Sequence, residues 1–147
     1  MKEMPQVNYW HLWTDVHGIS RLTLCAMTDF EFSSIQPPAD PQWQGAKTAG
    51  AMTVMVTVLP VGWKGIWHEN PKPQWIMPLS GRWFVEAMDG SRTEMGPGEL
   101  SFGGDQNCRE IDGKCGHRSG AVGDVPAVLM LVQFAEMSAP CSACEFR

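Results

Sequence analysis

The side chains of this sequence best suited to chemistry are the imidazoles of His68 and His117. Imidazole titrates near neutral pH, so two of them can serve as acid and base in one proton-transfer step. His68 opens the stretch His68-Glu69-Asn70-Pro71-Lys72-Pro73-Gln74, which adds two carboxamides. Strand alternation puts Ile66, His68 and Asn70 on one face and turns Glu69 away toward solvent. Gln74, opening the next run, can orient an imidazole or polarise a substrate carbonyl. A buried amide needs partners for both its oxygen and its NH2. Lys114, beside His117, offers a cation to an anionic substrate group. His17 precedes Gly18 and reads as a turn residue. His11, between Trp10 and Trp13, lies outside this constellation.

The five cysteines are Cys25, Cys108, Cys115, Cys141 and Cys144. Their number is odd and no apolar leader follows Met1-Lys2-Glu3-Met4-Pro5, so reduced thiols in a cytoplasmic protein are expected. Cys141-Ser142-Ala143-Cys144 is a CxxC pair. A zinc site would need Cys108 and Cys115 as its other ligands, and their spacing is wider than a zinc knuckle uses.

Composition narrows the partners. The 147 residues carry 16 acids against 11 basic residues, a formal charge of −5, with no basic cluster. A nucleic-acid face needs clustered Lys and Arg, so nucleic acid is excluded as the main partner. No apolar run is long enough for a transmembrane helix, so no membrane partner is expected. With 44% hydrophobic and 18% charged residues the chain should fold around one core as a single domain.

The positioning elements are short. Apolar or alternating runs are separated by Gly and Pro about every ten residues, the pattern of an all-β protein with little helix. Strands are expected at 8–14, 19–27, 52–59, 63–68, 74–79, 82–88, 91–95, 99–102, 117–121 and 128–134, with long loops at 33–51 and 103–116. Pro78 marks an edge or a bulge, and Asp89-Gly90 a primed hairpin turn. Along 82–88, Trp83, Val85 and Ala87 share one face, and Phe84 and Met88 the other.

From Trp63 onward the order of residues resembles the cupin superfamily of small β-barrels. The first cupin motif, G-x5-H-x-H-x3,4-E-x6-G, aligns with Gly62, His68, Asn70, Gln74 and Gly81. Asn70 stands in place of the second histidine, and Gln74 in place of the glutamate. Gly96-Pro97-Gly98 is similar to the turn of the second motif, and His117 in Gly113-Lys114-Cys115-Gly116-His117 takes the place of its histidine. Trp67, His68, Pro71 and Gln74 also look like a subgroup with W-H-x-x-P-x-x-Q followed by G-K-x-G-H.

The resemblance implies a cupin-like antiparallel β-barrel, or jelly roll. Residues 52–134 would form its core, 1–51 would complete the barrel or a dimer interface, and 135–147 would be a tail. It implies that His68, Asn70, Gln74 and His117 converge inside the barrel mouth, and that Trp83 lies near the pocket. Phe84 and Met88 would then sit on a face that a homodimer covers. Three functions follow as expectations. The first is acid/base chemistry by His68 and His117 (isomerisation, cyclisation, dehydration or other lyase chemistry) on a largely apolar small molecule, bound through Ile66, Asn70, Gln74, Trp83 and Lys114. No cofactor is then required. The second is a metal-dependent dioxygenase, one divalent transition metal being held by His68, Gln74 and His117, although a neutral amide is a poor ligand. The third is a non-catalytic small-molecule-binding cupin.

Overall fold

A computed structural model describes residues 3–45, 47–139 and 141–147. Eleven strands run along the chain: β1 (Val7–Thr14), β2 (Ser20–Met27), β3 (Phe30–Ser33), β4 (Gln42–Gly45), β5 (Met52–Leu59), β6 (Gln74–Ser80), β7 (Arg82–Ala87), β8 (Arg92–Met95), β9 (Leu100–Gly104), β10 (His117–Val122) and β11 (Ala127–Phe134). No helix occurs among the described residues, and none is therefore long and apolar enough to cross a membrane.

The strands form a six-stranded sheet in the order β2-β1-β9-β6-β11-β5, a three-stranded sheet β10-β7-β8 and a hairpin β3-β4. The protein is all-β, but its sheets are not closed into a barrel. One pairing, β1 with β9, is parallel. The expected strand at 63–68 is absent. Only isolated bridges, Lys64 to Gly120 and His68 to His117, tie that segment to β10. Pro71 and Pro73 lack N–H donors, so no ladder carries this pairing on toward β6.

Alternation decides what each face buries. The inner faces of the two larger sheets share one core, with Leu12, Leu59, Ile76 and Leu129 from one and Trp83, Val85, Ala87 and Met95 from the other. A second cluster, Tyr9, Cys25, Met27, Phe102 and Phe134, lies on the outer face of the six-stranded sheet, and the C-terminal Cys144 and Phe146 pack on it.

Other expectations need correction. The 33–51 loop contains the end of β3 and all of β4, held by a cross-strand Phe32–Trp43 ring contact at 5.0 Å. Asp89-Gly90 does not form a primed turn, since only Gly90 has positive φ. Gly90 N–H donates to the Ala87 carbonyl and Ala87 N–H to Ser91, a type I turn closed by a left-handed glycine. Phe84 needs no second subunit, because it is buried beneath the Arg92 guanidinium, 4.2 Å from its ring centre. Of the edge or bulge expected at Pro78, the structure has the bulge: Pro78 lies in a central strand, where the β6–β11 register shifts opposite Val128 and Leu129. Nor are all thiols reduced: Cys25 and Cys144 form a disulfide. That removes Cys144 from any CxxC zinc site.

Candidate functional site

The antiparallel bridge between His68 and His117 builds the site. Their backbones exchange two hydrogen bonds, His68 N–H to His117 O at 3.0 Å and His117 N–H to His68 O at 2.9 Å. A directly opposed pair projects both side chains to one side, and the ring centres lie 4.6 Å apart. Gly116 makes the approach feasible. It has φ +83°, and a Cβ there would strike the His68 carbonyl. Ser20 holds this turn by donating its hydroxyl to the Gly116 carbonyl at 2.5 Å.

His117 is buried and His68 exposed. His68 Nδ1 lies 2.7 Å from the Ile66 carbonyl, which can only accept, so Nδ1 carries the proton. His117 Nδ1 lies 2.7 Å from Oδ2 of Asp105 and donates to it. Neither Nε2 has a hydrogen-bond partner among the described residues.

Asp105 is the focus of a one-directional chain of amides. Gln133 donates to Gln74 Oε1 at 2.8 Å, and Gln74 Nε2 donates to Asn70 Oδ1 at 2.6 Å. Asn70 then donates its backbone N–H and its side-chain NH2 to Asp105 Oδ1, at 2.9 and 2.7 Å. Gly103 opens the space for this, since a Cβ there would collide with the Asn70 amide. Burial alone would push the Asp105 carboxyl up. The hydrogen bond and charge of His117, together with the two Asn70 donors, outweigh it and hold the carboxyl below its ordinary range.

His117 and Asn70 line a cavity with Leu12, Leu22, Ile76, Trp83 and Ser101. Its volume is about 10 Å³, room for a single water. Of these lining residues, Trp83 and Ser101 have buried polar atoms, Nε1 and Oγ, with no hydrogen-bond partner among the described residues.

The expected residues are thus partly brought together. His68, Asn70, Gln74 and His117 form one connected cluster, with Trp83 across the cavity. Ile66 is 82% exposed and contributes only its carbonyl. Lys114 lies 5.4 Å from the Trp67 ring centre, over its face, and lines a separate surface groove with Ile19, Met88 and Ile111. His11 is fully buried on the opposite face of the sheet, beneath the C-terminal segment. Its pKa is lowered to about 4 by burial. Burial pushes the Cys108 thiol up to about 11 and Cys115 in the same direction, so neither is a ready thiolate.

Gln74, one of the three expected metal ligands, has its amide engaged on both sides, its oxygen on Gln133 and its NH2 on Asn70. Among the described residues no three His, Cys, Asp or Glu side chains converge as a ligand set. Sequence reasoning missed Asp105 and Gln133. Asp105 follows Gly103-Gly104 in a stretch that reads as polar loop, and a buried acid after a strand end was its only signal.

No protein-family model and no curated protein matches this chain. Among solved structures it is similar to protein NMB1881 from Neisseria meningitidis, at 15% identity and a TM-score of 0.44, over 67% of this chain and 90% of that one.

Proposed function

We propose that the protein is a small-molecule enzyme of the cupin type, performing acid/base chemistry at the His68–His117 pair. The observation that carries this reading is the buried Asp105–His117 hydrogen bond, whose His117 lines an apolar cavity together with Trp83 and Ser101. Asp105 is a positioning residue. It fixes the proton on Nδ1 of His117, so that Nε2 accepts a proton, and it stabilises the imidazolium that results. His68, at the exposed end, supplies or removes the second proton. Removal of a C–H proton by one ring and return of a proton elsewhere by the other is an isomerisation. Loss of a protonated leaving group makes it a dehydration or another lyase reaction. The walls of Leu12, Leu22, Ile76 and Trp83 suit a largely apolar substrate, which must part them, because the cavity has room for only a water. The Cys25–Cys144 bond is of a kind that persists in oxidising surroundings, and it argues against the cytoplasmic placement read from the sequence.

The test uses small ketones and 2-hydroxy ketones with acidic C–H bonds, incubated with the full chain in D2O and followed by proton NMR. Deuterium should enter the substrate with the native chain and at least 100-fold more slowly with His117→Gln. Equal rates in the two proteins, or no exchange with any of these compounds, would overturn the acid/base role.

A further inference from the structure

We infer that β5 is the dimerisation edge of this protein, pairing antiparallel with β5 of a second copy. Among the described residues β5 pairs only with β11 and forms one edge of the six-stranded sheet. Its free edge therefore offers a row of unpaired backbone donors and acceptors. Natural edge strands are ordinarily blunted by charge, proline or a bulge. The sequence Met52-Thr53-Val54-Met55-Val56-Thr57-Val58-Leu59 has no charge and no proline, and its register with β11 is unbroken. The opposite edge strand, β2, does carry a charge, Arg21. Val54, Val56 and Val58 are 62%, 55% and 54% exposed, and Met52 and Met55 are exposed as well.

The choice of a second copy rests on the symmetry of the strand. Read outward from Met55, Val54 matches Val56, Thr53 matches Thr57, and Met52 is opposed to Val58. A two-fold axis through Met55 would therefore set Val against Val and Thr against Thr across the new ladder. These are favourable cross-strand pairs, and no like charges meet. An isologous interface requires a self-complementary patch, and this strand is one. Joining the two strands would bury on the order of 1,000 Å² in total, at the lower limit for a specific interface.

Analytical ultracentrifugation of the full chain tests the proposal. At about 100 µM the native protein should sediment at twice its 16.3 kDa. Val54→Lys/Val56→Lys sets like charges across the axis and should sediment as a monomer. Val54→Lys/Val56→Glu sets opposite charges across it and should restore the dimer. Should the lysine variant fail to fold, the native mass still decides, and so does Met55→Cys in a Cys141→Ser background. Position 55 faces itself across the axis, so mild oxidation should link two chains there, whereas Val58→Cys in the same background should not link. A monomeric native chain would overturn the proposal, leaving the edge to an extended segment of some other protein. A lysine variant that stays dimeric, or a Lys/Glu variant that stays monomeric, would overturn this register.

Discussion

Nδ1 of His117 lies 2.7 Å from Oδ2 of Asp105, while the other carboxylate oxygen, Oδ1, accepts two hydrogen bonds from Asn70. The two oxygens of one buried acid thus do different work. Oδ1 is fixed by Asn70, and Oδ2 selects the tautomer of His117.

Asp105→Asn should therefore reverse that tautomer. The Asn70 donors would keep the amide oxygen at the Oδ1 position, turning the NH2 toward His117. Nδ1 must then accept, and the proton moves to Nε2. Long-range 1H–15N spectra should show a protonated Nδ1 in the native chain near pH 8 and a protonated Nε2 in the variant. An unchanged tautomer would mean that Asp105 does not position the ring. Proton exchange on substrate should fall with the tautomer by roughly 100-fold or more, since Nε2 could no longer accept.

Removing the acid altogether should be costly. Asp105→Ala leaves His117 and both Asn70 donors without their acceptor, and breaking such a buried pair costs about 3–5 kcal/mol. The pH dependence has a definite sign. A carboxyl held below its ordinary value stabilises the fold above the unfolded pKa, and this is lost as pH falls through the folded one. Urea unfolding of the native chain should show this loss below about pH 4, and the Asp105→Asn variant should lack it.

These two residues also show where sequence stops being informative. The strands expected at 8–14, 74–79 and 128–134 fall within a residue of the observed β1, β6 and β11, because alternation and Gly/Pro punctuation are local. The pairing of His68 with His117 was suggested only through resemblance, since a bridge across 49 residues leaves no local trace. Asp105 was illegible for a similar reason. Its burial depends on β9 lying parallel to β1 and on Gly103 admitting Asn70, neither of which a polar stretch announces. The 63–68 run alternates like a strand but lacks a ladder to join. The disulfide could not be read either, because five cysteines do not dictate a pairing.

The disulfide should matter to stability. Cys25 and Cys144 close a loop of 119 residues, and loop-closure entropy for so long a loop corresponds to at most about 5 kcal/mol, with 2–4 typical. It also holds Phe146 against Trp75 and Phe102, at ring-centre distances of 4.8 and 4.7 Å. Reduction should lower the thermal midpoint by several degrees and expose the Trp75 face to quenchers. Cys25→Ser should start at the lower midpoint and ignore reductant. A native chain indifferent to reductant would show that the bond does not hold the C-terminal segment.

A second acid-sensitive element lies under that same segment. His11 is fully buried, its Nδ1 accepts the Cys144 N–H at 3.0 Å, and burial lowers its pKa to about 4. The folded chain thus keeps this ring neutral where an unfolded chain, with an ordinary value near 6.5, binds a proton. Stability is complete above that unfolded value and declines as pH falls from about 6.5 to 4, by about 3 kcal/mol in all. This window lies above that of Asp105, so the two are separable in one titration. His11→Asn offers an acceptor to the Cys144 N–H and does not titrate. Its urea midpoint should be flat between pH 7 and 4.5 while the native midpoint falls, and hydrogen exchange at Cys144 and Phe146 should quicken with acid only in the native chain. If both proteins decline alike over that interval, His11 is not the group that senses the acid.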